Sequence, residues 1–319
     1  MPPAPIRLSR AAWALLTLLA LIWGGSFFSI ALALREMGPL TAVLHRVFWA
    51  AALLWLVAAL RGEAVPRSAR AWRALAVMGL LNNVIPFSLM AWGQTHIETG
   101  LVAIFNAATA IFGALVAALM LADERLTARR ALGVALGFGG VVTIIGADAL
   151  RGLDLRSAAQ GAVTLGALSY ALASVWAKRR LGGLSPVAAA AGMLTASTLI
   201  VAPLALVVEG APSLRLSLTA WAAVAWYAAI GTAAAYLLYF RILRLAGAAN
   251  LMLVTLMIPP VSIALGAAFL GERLGGAALA GFALLALGLM VIDGRAFARW
   301  TGARGGHRQD DAQPRSPRR

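Results

Sequence analysis

The chain has 319 residues, of which 61% are hydrophobic and only 12% charged, and its formal net charge is +15. Soluble domains are nearer roughly 45–50% apolar and 25% charged, so a soluble globular fold is excluded. The absence of cysteine excludes disulfides, thiolate metal sites and thiol catalysis.

Charges gather in short segments between apolar runs of roughly 18–24 residues, close to the twenty or so that cross a hydrocarbon core as a helix. Ten spans are expected, at roughly 12–34, 39–60, 72–93, 99–121, 129–147, 158–177, 185–208, 219–240, 246–270 and 276–293. With the N-terminus inside, the inner segments hold Arg7, Arg10, Arg61, Arg67, Arg70, Arg73, Arg125, Arg129, Arg130, Lys178, Arg179, Arg180, Arg241 and Arg244. The outer segments hold only Arg35, Arg151, Arg156, Arg215 and Arg273. This asymmetry puts both termini in the cytoplasm. The basic residues therefore encode orientation, and a nucleic-acid partner is not expected. Residues 294–319 are polar and rich in Gly, Pro and Arg, and read as a disordered cytoplasmic tail.

The first span follows Arg7 and Arg10 and contains a cleavage-like Ala31-Leu32-Ala33, but it is too long for an ordinary signal h-region and is kept as a helix. It carries Trp23 near mid-membrane, away from the interfaces that Trp favours, either as a stacking wall of a cavity or as helix packing. Gly24, Gly25 and Ser26 are expected to permit close helix contact. In the second span Arg46 lies about two turns in, at a depth where a cation costs about 2.5–3.5 kcal/mol by insertion scales. It either meets a substrate carboxylate or phosphate, or snorkels to the headgroups, or pairs with Glu98. His45 points about 100° away and is expected at the interface.

The third span carries Asn82 and Asn83 one turn before Pro86. Proline frees a carbonyl near Asn82, so one amide is expected to cover that break and the other to remain for substrate. Asn106 and Thr109 share a face of the fourth span. Tyr170 in the sixth and Tyr227 in the eighth are further cavity candidates, whereas Tyr236 and Tyr239 read as an inner-interface belt. Pro259-Pro260 in the ninth should kink or unwind that helix and act with Pro86 as a hinge.

The chain also echoes itself. At an offset of 148, Glu124, Arg125, Leu126, Gly133 and Gly140 fall on Glu272, Arg273, Leu274, Gly281 and Gly288. At an offset of 147, Trp23 falls on Tyr170 and Pro39 on Pro186. Each half then has five spans, and an odd number makes the second half enter from the opposite face. The halves are expected to be inverted repeats. The acids of the repeated corner sit at helix ends, where capping and corner hydrogen bonds are their expected roles.

The Ile22-Trp23-Gly24-Gly25-Ser26 run, the Pro39-Leu40-Thr41…Arg46 opening and the Ala-Asp-Glu-Arg-Leu and Gly-Glu-Arg-Leu corners resemble EamA domains of the drug/metabolite transporter superfamily. The resemblance implies an all-α integral membrane protein, with one EamA repeat over 12–147 and a second over 158–293. It implies a secondary transporter without cofactor, exporting amino acids or other small metabolites across a bacterial inner membrane through a cavity shared by the halves. Members often carry proline in both the fourth and ninth spans, whereas the fourth here has Ile111 and Phe112 at the matching positions, so gating is not expected to be symmetric.

None of the twelve acidic residues lies mid-membrane, which argues against cationic-drug/proton exchange and leaves neutral, zwitterionic or anionic organic solutes. Proton coupling would have to use His45 or Glu98. The alternatives are a flippase for a lipid or lipid-linked sugar and, further off, a membrane-embedded enzyme. The latter needs a convergent acid/base or metal constellation, and His45, His96 and His307 are dispersed. No metal site is expected, and a homodimer stays open as an assembly.

Overall fold

The computed structural model describes residues 9–121, 127–145, 154–251 and 253–293. The first Glu-Arg-Leu corner and the tail lie outside the described residues. Within them every regular element is helical: α1 (Arg10–Ala33), α2 (Pro39–Leu60), α3 (Ala69–Gly79), α4 (Ile85–Gly93), α5 (Thr99–Ala107), α6 (Thr109–Met120), α7 (Ala128–Ile145), α8 (Leu155–Arg180), α9 (Pro186–Val208), α10 (Leu218–Val224), α11 (Ala235–Leu251), α12 (Val254–Leu265) and α13 (Gly276–Asp293). Three π-helical segments interrupt this order. Leu80–Val84 joins α3 to α4, Ala225–Ala234 joins α10 to α11, and Gly266–Leu270 extends α12.

Among the described residues, eight helical spans are long and apolar enough to cross a membrane, and two further apolar helices, Val254–Leu270 and Gly276–Ile292, are shorter. Their outer faces are as apolar as their cores. Leu119, Leu199 and Val207 are 75%, 70% and 85% exposed. Water would penalise such a surface and hydrocarbon does not. The protein is a multi-pass membrane protein.

Helix starts follow from local chemistry. Side chains of Ser9, Ser68, Asp154, Ser185 and Ser217 accept the amides of Ala12, Ala71, Ser157, Ala188 and Ala220 at the heads of α1, α3, α8, α9 and α10. Proline opens α2 and α9, where its missing N–H is not needed. The same two helices end on left-handed glycines, Gly62 at φ +64° and Gly210 at φ +84°. Only glycine adopts that backbone without a Cβ penalty.

The repeated glycines meet each other. A Cβ on Gly133 would lie 2.6 Å from the Gly288 carbonyl oxygen, and one on Gly140 would lie 2.6 Å from that of Gly281. Counterparts in the two halves thus pair crosswise, so α7 and α13 run antiparallel with backbones touching, as small residues allow in lipid. Gly24 and Gly25 also serve close contact, since a Cβ there would meet Val261 of α12 at 2.6 Å and the Trp226 indole at 3.1 Å.

Several expectations are corrected. α11 runs to Leu251 through the loop expected at 241–245, so Arg241 and Arg244 lie on a helix. Nothing in Phe240-Arg-Ile-Leu-Arg breaks a helix, and arginine can extend its head toward water from such a position. The fourth span is broken without proline, at Ala108 between α5 and α6. α12, by contrast, stays helical through Pro259 and Pro260. Its packing against α1 is tied by the Ser262 hydroxyl, which donates to the Gly24 carbonyl at 3.2 Å. Such lateral contacts keep a helix intact despite the two lost backbone donors.

Candidate functional site

The two wide-turn segments at 80–84 and 225–234 fall in corresponding places of the two halves, and each is met by a helix of the other half. α2 brings Arg46 to the second segment. Its Nε donates to Thr232 Oγ1 at 2.9 Å, and the guanidinium lies 3.7 Å above the Phe87 ring of α4. No carboxylate pairs with it among the described residues. The phenols of Tyr170, Tyr236 and Tyr227 are near enough to feel its charge. The Thr232 hydroxyl gives its own proton to the Tyr227 carbonyl at 2.8 Å, inside the π turn, so the bulge orients the acceptor of Arg46.

α9 brings Met193 and Ser197 to the first segment. Asn82 Nδ2 donates to the Tyr236 hydroxyl at 3.0 Å and lies 4.0 Å from Met193 Sδ. Asn83 is fully buried, with Nδ2 donating to Ser197 Oγ at 3.1 Å and Oδ1 accepting from Tyr236 at 3.3 Å. The expected division of labour between the asparagines is corrected. Neither covers the break before Pro86, because the Leu81 carbonyl takes the Ser169 hydroxyl of α8 at 2.7 Å.

Trp23 joins the cluster from α1, its Nε1 donating to the Gly231 carbonyl at 3.1 Å, one residue from Thr232. Tyr170 packs edge-on against Phe87 at 6.4 Å, and its hydroxyl makes no hydrogen bond among the described residues. Tyr227 is fully buried with its hydroxyl unpartnered. Asn106 and Thr109 flank the break at Ala108 instead and make no hydrogen bond or ring contact with this cluster; the buried Thr109 hydroxyl has no partner.

The sequence reading missed Phe87, Thr232, Ser197 and Tyr236. Tyr236 is drawn in because ten residues of π-helix advance less along the axis than an α-helix does, leaving it deeper than α spacing implies. Thr232 offered one signal, a hydroxyl at the depth of Arg46 on a facing span.

The pairing of Arg46 with Glu98 is overturned. Glu98 holds Arg156 in a two-pronged salt bridge at 2.8 and 3.2 Å. His45 faces away from Arg46, as expected. Its Nδ1 accepts the Trp49 indole N–H at 3.2 Å, and its ring stands edge-on to Trp221 at 5.6 Å. Glu272 does cap a helix, though a distant one: its carboxylate accepts the Thr99 and Gly100 amides at the head of α5, at 3.0 and 3.4 Å. Beside Arg46 there is a void of only about 10 Å³, room for roughly one water, lined by Ile30, Ala42, Val43, Phe87 and Ala91. That void is too small to hold an organic solute.

The sequence pattern of the EamA-like transporter family matches residues 11–146 and again 159–293. Among curated proteins, the chain is 27% identical to Protein PecM of Dickeya dadantii over 85% of this chain and 88% of that one. It is 25% identical to the uncharacterized inner membrane transporter YedA of Escherichia coli K12, over 86% of each chain. One solved crystal structure superimposes with a TM-score of 0.65 at 18% identity, covering 91% of this chain and all of the other, a likeness of fold alone. With both halves matched, the chain belongs to the EamA-like transporter family.

Proposed function

We propose that this protein is a secondary transporter, and that it exports amino acids or other small organic metabolites across a bacterial inner membrane by alternating access. The family supports a membrane transporter of small metabolites. The finer reading adds ten crossings, both termini in the cytoplasm, and two inverted repeats over 12–147 and 158–293, with a cytoplasmic tail beyond. The crosswise pairing of Gly133 with Gly288 and Gly140 with Gly281 supports the inversion. An enzymatic role has no support from the relatives, among which YedA carries transporter in its name.

One observation carries the choice of site: a guanidinium with no carboxylate partner among the described residues, held between α2, α4 and the π segment of the opposite half. Trp23, Tyr170, Tyr227 and Asn82 form the surrounding surface, Asn83 braces it, and Asn106 and Thr109 flank a separate break in the path. Pro86 and the Pro259-Pro260 pair are the hinge candidates. The void of about 10 Å³ fits an occluded stage, which must open to one side to admit solute.

The test is reconstitution into liposomes with a panel of labelled amino acids and metabolites, wild type against Arg46→Ala. Transport of an acidic or zwitterionic solute is expected to fall at least tenfold in the variant, the loss of about 1.4 kcal/mol of binding. Equal rates would remove Arg46 from the site, and a panel in which nothing moves would remove the transporter reading.

A further inference from the structure

The Arg46 cluster is unbalanced in two ways, and both point to the same class of solute. The first imbalance is of charge. Arg46 contributes one positive charge, its terminal nitrogens make no hydrogen bond among the described residues, and its contacts are a neutral hydroxyl and an aromatic ring. The acids that might balance it are engaged elsewhere. Glu98 is bound to Arg156, Glu209 and Glu272 cap α2 and α5, Glu36 is bound to Ser217, and Glu63 to Ser185.

The second imbalance is of protons. Arg46 only donates. Tyr227 is fully buried with an orphaned hydroxyl, and Tyr170 also has no partner for its own. Three nearby acceptors are already in use. The Thr232 oxygen takes the Arg46 Nε–H, the Gly231 carbonyl takes the Trp23 indole, and Asn83 Oδ1 takes the Tyr236 hydroxyl. The nearest aromatic face, that of Phe87, is covered by the guanidinium itself. A carboxylate accepts from the free guanidinium nitrogens and neutralises the charge. An ammonium on the same solute meets a like charge at short range, and no carboxylate among the described residues is left free to offset it.

We infer that the site selects carboxylate-bearing organic monoanions over zwitterions of the same shape. This rests on the transporter reading and narrows it: α-hydroxy acids and similar anions are the solutes, and free α-amino acids are poor ones. The opposite wall, Asn82 with Tyr236 and Met193, is neutral and suits the uncharged end of such a molecule.

The experiment uses matched pairs in proteoliposomes, lactate with alanine and phenyllactate with phenylalanine, in which a hydroxyl replaces the ammonium. Wild type is expected to move the hydroxy acid of at least one pair tenfold or more faster than its amino acid, and Arg46→Gln to abolish that preference. Tyr227→Phe is expected to slow the hydroxy acid severalfold while leaving the melting temperature in detergent unchanged or raised, since the lost hydroxyl has no partner to lose. Amino acids moved as fast as their hydroxy-acid partners would overturn the selectivity and leave the transporter reading standing. Unchanged hydroxy-acid transport in Tyr227→Phe would overturn the donor arrangement. If neither member of either pair moved while amino acids of the wider panel did, the anion reading alone would fall.

Discussion

Asn82 and Asn83 are neighbours in sequence with opposite duties, and the difference is set by the direction in which each leaves the helix, since successive residues diverge by about 100°. Asn83 is fully buried and spans from Ser197 on α9 to Tyr236 on α11. Asn82 is half-buried and touches Tyr236 and Met193, at the rim of the Arg46 cluster. Removing one partner of a buried hydrogen bond costs about 1–3 kcal/mol. Asn83→Ala is therefore expected to lower thermal stability in detergent by an amount in that range. Asn82→Ala should cost less stability and more transport. Denaturation and uptake measured on both variants decide the matter, and the reverse ranking would place Asn83 rather than Asn82 against the solute.

At the scale of elements, glycine decides which helices meet. α7 and α13 touch backbone to backbone, and a side chain at Gly140 would be forced to within 2.6 Å of the Gly281 carbonyl and 2.9 Å of the Leu285 nitrogen. Neither backbone atom can rotate aside. Gly139, next in sequence, is exposed and has nothing within 4 Å. Overpacking typically costs about 1–3 kcal/mol and more where backbone must move. Gly140→Leu is expected to lose most of its folded yield, and Gly139→Leu to remain near wild type, as read by fluorescence-detected gel filtration. Comparable losses in both would mean that helix propensity or insertion, not this contact, is what the glycines serve. The π segments act at the same scale. They interrupt two helices at corresponding places, and the residues that wrap Arg46 and Asn82 are the ones those interruptions re-aim.

Across the whole molecule, each of the five described glutamates binds the other half. Glu36 accepts the Ser217 amide at 2.8 Å and its hydroxyl; Glu209 accepts the Leu40 and Thr41 amides at 2.8 and 2.9 Å. Glu98 with Arg156 and Glu272 with Thr99 and Gly100 lie at that same end of the bundle, and Glu63 with Ser185 at the opposite one. Carboxylates at helix N-termini are favoured by the backbone amides and the dipole there. The Ser217 hydroxyl and amide hold the Glu36 carboxyl below its ordinary value of 4.5. A carboxyl lowered in the folded state contributes stability that is complete above that ordinary value and is lost as the pH falls below it. The melting temperature is thus expected to drop on acidification below about pH 4.5, and less steeply in Glu36→Gln than in wild type. Identical slopes would show that this contact does not survive in solution.

The sequence by itself determined the membrane class, the helical content, the internal repeat and the presence of a costly arginine. These follow from apolar run length, charge segregation and spacing, which are local or periodic properties. It named Trp23, Arg46, Asn82, Asn83, Tyr170 and Tyr227 as cavity candidates, but it drew Asn106 and Thr109 into the same group and left out Phe87, Thr232, Ser197 and Tyr236. It also expected Pro259-Pro260 to kink or unwind the ninth span, whereas α12 stays helical there and the fourth span is interrupted at Ala108 without a proline. Only tertiary structure decided these points. Whether a helix yields at proline depends on what packs beside it, and which donor finds which acceptor depends on the register of two halves remote in sequence. The repeated Glu-Arg-Leu corner shows the limit best, since the partner of Glu272 lies more than a hundred residues away, at the head of α5.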